Sequence, residues 1–198
     1  MYSLPLSTEI KKQLPKKAIY AKFNLKPSQR ESFDTDIARI DIVAVVSPTT
    51  LPALAEGEEV KAVYVLALQI KRKEYDSQNL IMLIKHIPQK MVFALQYGTL
   101  TQFATYHTRL ITSAWQPTEN ATLPISGLSL DTVWENVVRY IGLIEMDSGN
   151  TLAEQITADE ERNKMLAQIA TLEKKMAKEK QPRRIREYFE QIEKLKIS

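Results

Sequence analysis

Apolar residues recur along this 198-residue chain in two rhythms, and the change of rhythm divides it. Short β-branched runs and brief helical patterns fill the first three quarters. Residues 41–46 form one such run, expected as a buried strand that Pro48 and Pro52 end. Residues 60–70 give the clearest strand pattern, after a turn at Glu56-Gly57-Glu58. Residues 75–87 read as a helix with Leu80, Leu83, Ile84 and Ile87 inward, stopped by Pro88. Residues 91–97 and 102–111 flank Gly98 as a hairpin. A polar loop from Trp115-Gln116-Pro117 reaches about Ser126. Leu128-Ser129-Leu130-Asp131 then caps a helix running to Leu143, with Val133/Trp134, Val137/Val138 and Ile141 facing the core. Upstream, residues 1–18 read as a short helix between Leu4-Pro5 and Leu14-Pro15, starting at Ser7 or Thr8. Residues 18–25 are apolar enough to dock on the core. Ser28 is the expected N-cap of a further helix, with Glu31 completing a capping box and Phe33, Ile37 and Ile40 on its buried face.

From Thr151 onward the rhythm is purely helical. Leu152, Ile156, Met165, Ile169, Leu172 and Met176 recur mostly at three- and four-residue steps on one stripe. The stripe breaks at Gln181-Pro182 and resumes with Ile185, Tyr188/Phe189, Ile192 and Leu195. The break disfavours a long continuous coiled coil and favours a hairpin. The chain is therefore expected to be α+β: a small mixed sheet flanked by helices in residues 1–148, then a charged helical arm in residues 149–198. That arm is a helical hairpin or coiled coil, broken near Pro182, and residues 147–150 form its hinge.

Composition changes this picture little, and charge changes it more. No apolar run approaches the roughly 18 residues a membrane helix needs, and no signal-peptide core follows the N-terminal lysines. The absence of cysteine excludes disulfides, thiolate nucleophiles and cysteine-zinc sites, and fits a cytoplasmic protein. The net charge of +3 hides a segregation: residues 1–30 carry +6, residues 31–170 carry −7 and residues 171–198 carry +4. Basic ends brought together would make a positive surface suited to phosphates or an acidic partner. Alternatively, they neutralise the acidic body.

The basic arm is the strongest candidate for function. Lys174, Lys175, Lys178, Lys180, Arg183, Arg184 and Arg186 straddle the Pro182 break, and a hairpin would gather them at its tip. Such a tip can bind phosphates in a salt-sensitive, sequence-independent way. Glu173, Glu179 and Glu187 interleave with them and can instead pair with them on a solvated face. Lys11, Lys12, Lys16 and Lys17 are the N-terminal counterpart.

Catalytic patterns are weaker. Asp41 with Gln69 and Lys71 is the one placement compatible with a magnesium nuclease of the Asp…(Glu/Gln)-x-Lys type, with Gln69 and Lys71 alternating onto one strand face. Glutamine is a poorer metal ligand than glutamate, and Lys71 opens a run of charge where a strand meets solvent. His86, before Pro88, suits a helix C-terminus, and His107 a surface or partly buried strand position; neither has a partner at metal-ligand spacing. The five glycines are too scattered to cradle a phosphate. No cofactor or metal is expected.

Several linked motifs point to a family. Leu-Pro-Leu-Ser-Thr-Glu-Ile at 4–10, Leu-Pro-Lys-Lys-Ala-Ile-Tyr at 14–20, Val-Trp-Glu-Asn at 133–136, Asn-Thr-Leu-Ala-Glu-Gln-Ile at 150–156 and Glu-Lys-Gln-Pro-Arg-Arg at 179–184 resemble the bacterial family catalogued as domain of unknown function four-three-nine-one. The resemblance spans nearly the whole chain and implies a setting: genes beside helicases and adenine-type DNA methyltransferases in restriction-like, phage-defence operons. It brings no catalytic residue, and in that family the position of Asp41 need not be acidic. The expectation is a non-catalytic accessory subunit of a DNA-processing system, contacting DNA, or a helicase or DNA methyltransferase partner, through its basic termini. The alternative is the degenerate nuclease.

Overall fold

The computed structural model describes residues 1–197, and the chain divides into two compact units, Met1–Glu145 and a second from Met146 onward. In the first unit, one mixed sheet runs in the order β1 (Glu9–Gln13), β2 (Ile37–Val46), β3 (Val63–Ile70), β4 (Lys90–Tyr97), β5 (Leu100–Tyr106) and β6 (Leu110–Thr112). The short β7 (Gln116–Pro117) also pairs with β5. All pairings are antiparallel except β3 with β4, which lie parallel. Parallel neighbours need a crossover, and α3 (Ser77–His86) lies in that connection. The earlier helices are α1 (Lys16–Phe23) and α2 (Pro27–Asp36), and α4 (Leu130–Gly142) closes the unit.

Period-two alternation sorts the sheet into two faces. Ile40 lies opposite Leu68 and Phe93 opposite Ala104, and these join Ile19, Phe33, Leu80 and Leu83 in one apolar cluster beneath α1 to α3. The other face carries Val65, Val92, Ala94 and Phe103, all buried. There α4 meets β5 and β6, and the Tyr2 ring meets Phe103 edge-on at 5.3 Å. Tyr2 and Ser3 both take positive φ (54° and 56°), a conformation that costs a side-chain-bearing residue energy. Burial of Tyr2 and the 2.7 Å hydrogen bond its hydroxyl accepts from Gln96 offset that cost. The same burial pushes the Tyr2 phenol up to about 12.

Four local expectations are corrected. Residues 9–13 form the edge strand β1, not a helix, because pairing with β2 satisfies their backbone; Thr8 closes a 3-10 turn onto Pro5 instead of capping a helix. Ile37 and Ile40 belong to β2, whose β-branched run begins four residues earlier than position 41. The N-cap of α2 is Lys26, whose N–H donates to Gln29 at 2.9 Å. Pro27 there takes the first helical position, where its missing N–H costs little. The strand expected over 102–111 splits into β5 and β6 around the 107–109 turn.

Two carboxylates, Asp36 and Asp131, fasten the unit. Asp36 is fully buried: Arg72 ion-pairs with it at 2.5 Å, and it accepts from Asn79 Nδ2 at 2.8 Å and the Asp76 N–H at 2.7 Å. This ties the end of α2 to the start of the crossover. Asp131, in the first turn of α4, accepts the N–H groups of Glu58 and Val60 at 2.6 and 2.8 Å. The Val60 N–H is the chief reason its carboxyl lies below the usual range. Any side chain at Gly57 would collide with that carboxylate, a Cβ reaching 2.4 Å from its oxygen.

The second unit consists of α5 (Leu152–Lys178) and α6 (Pro182–Ile197). Thr151 and Glu154 form a reciprocal capping box at the start of α5. Gln155, buried, accepts from the Asp147 N–H and the Asn150 amide, each at 3.0 Å, fastening the preceding loop. No helix among the described residues is long and apolar enough to cross a membrane.

Candidate functional site

The arm turns back at residues 179–181 for reasons written in the sequence. Pro182 has no N–H and disfavours helix at the residue before it, yet it fits the first position of α6. Glu179 stabilises the bend: its carboxylate accepts the N–H groups of Lys180 at 2.9 Å and Gln181 at 3.1 Å. The Gln181 N–H, then that of Lys180, holds this carboxyl below the usual range. Ile185 N–H donating to the Gln181 carbonyl at 3.1 Å starts the returning helix. The two helices pack along the expected stripes: Met165, Ile169, Leu172 and Met176 are half-buried, as are Ile185, Tyr188 and Leu195, and Ile192 is buried. Of the pair left open at 188/189, Tyr188 faces inward and Phe189 outward.

This bend gathers all seven predicted cations. Lys174, Lys175, Lys178, Lys180, Arg183, Arg184 and Arg186 are exposed, with Glu179 the one acid between positions 174 and 186. The arginines are paired: Arg183 with Glu187 at 3.3 Å, Arg186 with Glu190 at 3.2 Å and Arg184 with Glu179 at 3.7 Å. Exposed pairs four residues apart contribute only about 0.3–0.5 kcal/mol each, so a polyanion can displace the partners of Arg183 and Arg186. The four lysines have no ion pair among the described residues. Three of them, Lys174, Lys175 and Lys178, lie one and four residues apart and share one side of α5. Chemically the tip is a surface of exposed ammonium and guanidinium groups, suited to charge attraction.

The N-terminal lysines divide. Lys11 and Lys12 are exposed on the edge strand β1, and Lys17 is exposed on α1. Charged lysines on an edge also keep other strands from pairing there. Lys16 is tied down: it ion-pairs with Asp34 and donates to the Ile37 carbonyl at 2.9 Å. That ammonium, with the Tyr20 hydroxyl at 2.6 Å, depresses the Asp34 carboxyl.

Asp41 and Gln69 share a sheet face, since Asp41 opposes Ala67 and Gln69 opposes Arg39. Both Asp41 oxygens meet Arg39, at 2.6 and 2.8 Å. Lys71 does not join them, because it lies past the end of β3 and donates to the Asp34 carbonyl at 2.5 Å. His86 sits in the last turn of α3, its Nδ1 2.9 Å from the Met82 carbonyl and its ring stacked on Phe23 at 4.6 Å. His107 is half-buried just past β5. No cluster of three or more His, Asp or Glu able to hold a metal occurs among the described residues.

No curated protein and no solved structure matches the chain. The family model described as "Domain of unknown function (DUF4391)" matches residues 3–197. That match covers nearly every element of both units, from the first 3-10 turn to the last helix, and the chain belongs to this family.

Proposed function

We propose that this protein is a non-catalytic subunit of a bacterial DNA-processing system and that the tip of its helical arm contacts the phosphate backbone of DNA. The observation that carries the proposal is the concentration of seven exposed cations at the α5–α6 bend, four of them unpaired among the described residues. A restriction-like, phage-defence setting with a helicase or DNA methyltransferase partner follows from the family resemblance. Phosphate contacts position a protein on a duplex without reading bases, and their strength falls with salt because each releases condensed counterions.

The test is fluorescence anisotropy of a labelled duplex across a salt series. The intact chain is compared with a variant carrying Lys178, Arg183, Arg184 and Arg186 all replaced by Ala. Steeply salt-dependent binding, lost in the variant, supports the proposal. No binding by the intact chain at low salt removes DNA as the ligand and directs the tip to an acidic protein surface.

A further inference from the structure

The C-terminal end of α4 borders an apolar cleft of about 480 Å³. Pro124, Tyr140, Leu143 and Ile144 supply its apolar surface, and Arg139 and Glu145 its charges. All of these residues belong to the first unit.

Leu143 has no role in folding that accounts for its place. It follows the last turn of α4 with φ 51° and ψ 41°, in the left-handed region. Glycine or asparagine usually stands there, because a larger side chain crowds the next carbonyl. The conformation is imposed by its surroundings. The Ile144 N–H donates to the Arg139 carbonyl at 3.0 Å, closing the helix. Gly142 approaches β6 so closely that a Cβ there would come within 2.9 Å of Ile111. A leucine held in this strained position and 84% exposed gains almost nothing from its own chain. Tyr140 beside it is exposed as well, its hydroxyl 3.2 Å from that of Thr122. Across the cleft the Asn136 amide donates to the Ser126 carbonyl at 2.9 Å, so the walls are held by the fold before anything enters.

The charges select the occupant. Arg139 and Glu145 line the same cleft with opposite sign, yet neither forms an ion pair among the described residues, with each other or with any other group. We propose that a second copy of this chain closes the cleft, packed about a two-fold axis that passes beside Leu143 and Tyr140. Two-fold packing sets one patch against itself, so each contact is made twice with the roles exchanged. A patch of one sign repels itself under that symmetry, and the cationic bend of the arm is such a patch. This cleft carries one charge of each sign. Arg139 of each copy then meets Glu145 of the other, and Leu143 of each enters the other's cleft against Tyr140, Ile144 and Pro124. A central tyrosine and arginine beside an apolar anchor is the composition that dominates the energy of protein contacts.

The experiment is sedimentation equilibrium of the intact chain over a concentration series, repeated with three variants whose folding is checked by circular dichroism. Expected for the unaltered chain is a reversible monomer–dimer equilibrium. Leu143→Asn puts a residue suited to the left-handed conformation in place of an exposed leucine. It should fold as the unaltered chain does and weaken the dimer about tenfold or more. Arg139→Glu, which sets two carboxylates against each other, should weaken it as strongly, and the double variant Arg139→Glu, Glu145→Arg should recover the dimer. A chain that sediments as a monomer throughout overturns the proposal. So does a dimer indifferent to Leu143→Asn, which would place the contact on another face. A folded double variant that stays monomeric overturns the two-fold pairing of Arg139 with Glu145.

Discussion

In the body, three cations are tied into the fold: Lys16 to Asp34, Arg39 to Asp41, Arg72 to the buried Asp36. At the arm's tip the four lysines have no partner among the described residues, and the arginines hold weak pairs along or beside their own helix. Charge serves structure in the one region and is left available in the other. A buried carboxylate must be satisfied, so its partners are fixed by folding. An exposed cation on a helix satisfied by its own backbone has no such obligation.

The largest expected effect is on binding. Replacing Lys178, Arg183, Arg184 and Arg186 with Ala should weaken a short duplex by about two to three decades at 0.1 M salt and lower the salt slope by about three to four units. Urea unfolding of the same variant should change by less than about 0.5 kcal/mol. A large stability loss instead would mean that these cations support the arm's fold.

Next is Asp36→Ala. It removes the acceptor of Arg72, Asn79 and the Asp76 N–H, and should cost about 2–3 kcal/mol in urea unfolding. DNA affinity of the folded protein should be unchanged; a parallel loss of both would erase the contrast between the regions. Thr151→Ala, which removes the cap of α5, should cost about 1 kcal/mol, read as faster hydrogen exchange confined to the first turns of that helix.

The smallest effect is pH-dependent. Asp131 has a depressed folded-state pKa, so its contribution is present above the unfolded carboxylate range and is lost as pH falls through the folded value. Asp131→Asn should therefore lower the melting temperature at neutral pH, with the gap to wild type narrowing in acid. A gap that widens in acid would contradict the role of the carboxylate.

Much of the site was legible in advance because helices are local. The stripe of Met165, Ile169, Leu172 and Met176, the stop at Pro182 and the cations on either side are all set by spacing within a few residues. The body was legible less evenly. The 60–70 and 91–97 runs announced β3 and β4, but residues 9–13 gave no strand signal. Asp36 and Asp131 looked like ordinary helical acids, because what they bind lies about 40 and 70 residues away.

Local sequence is enough to specify an α+β body, a broken helical arm and a cationic bend. Each rests on hydrophobic period, proline stereochemistry or charge counted along the chain, and none needs a distant partner. Tertiary contacts were needed to make β1 a strand, to bury Asp36 and to carry Lys71 away from Asp41 and Gln69. Those outcomes depend on groups far apart in sequence meeting across a sheet, where desolvation fixes which charges must be paired.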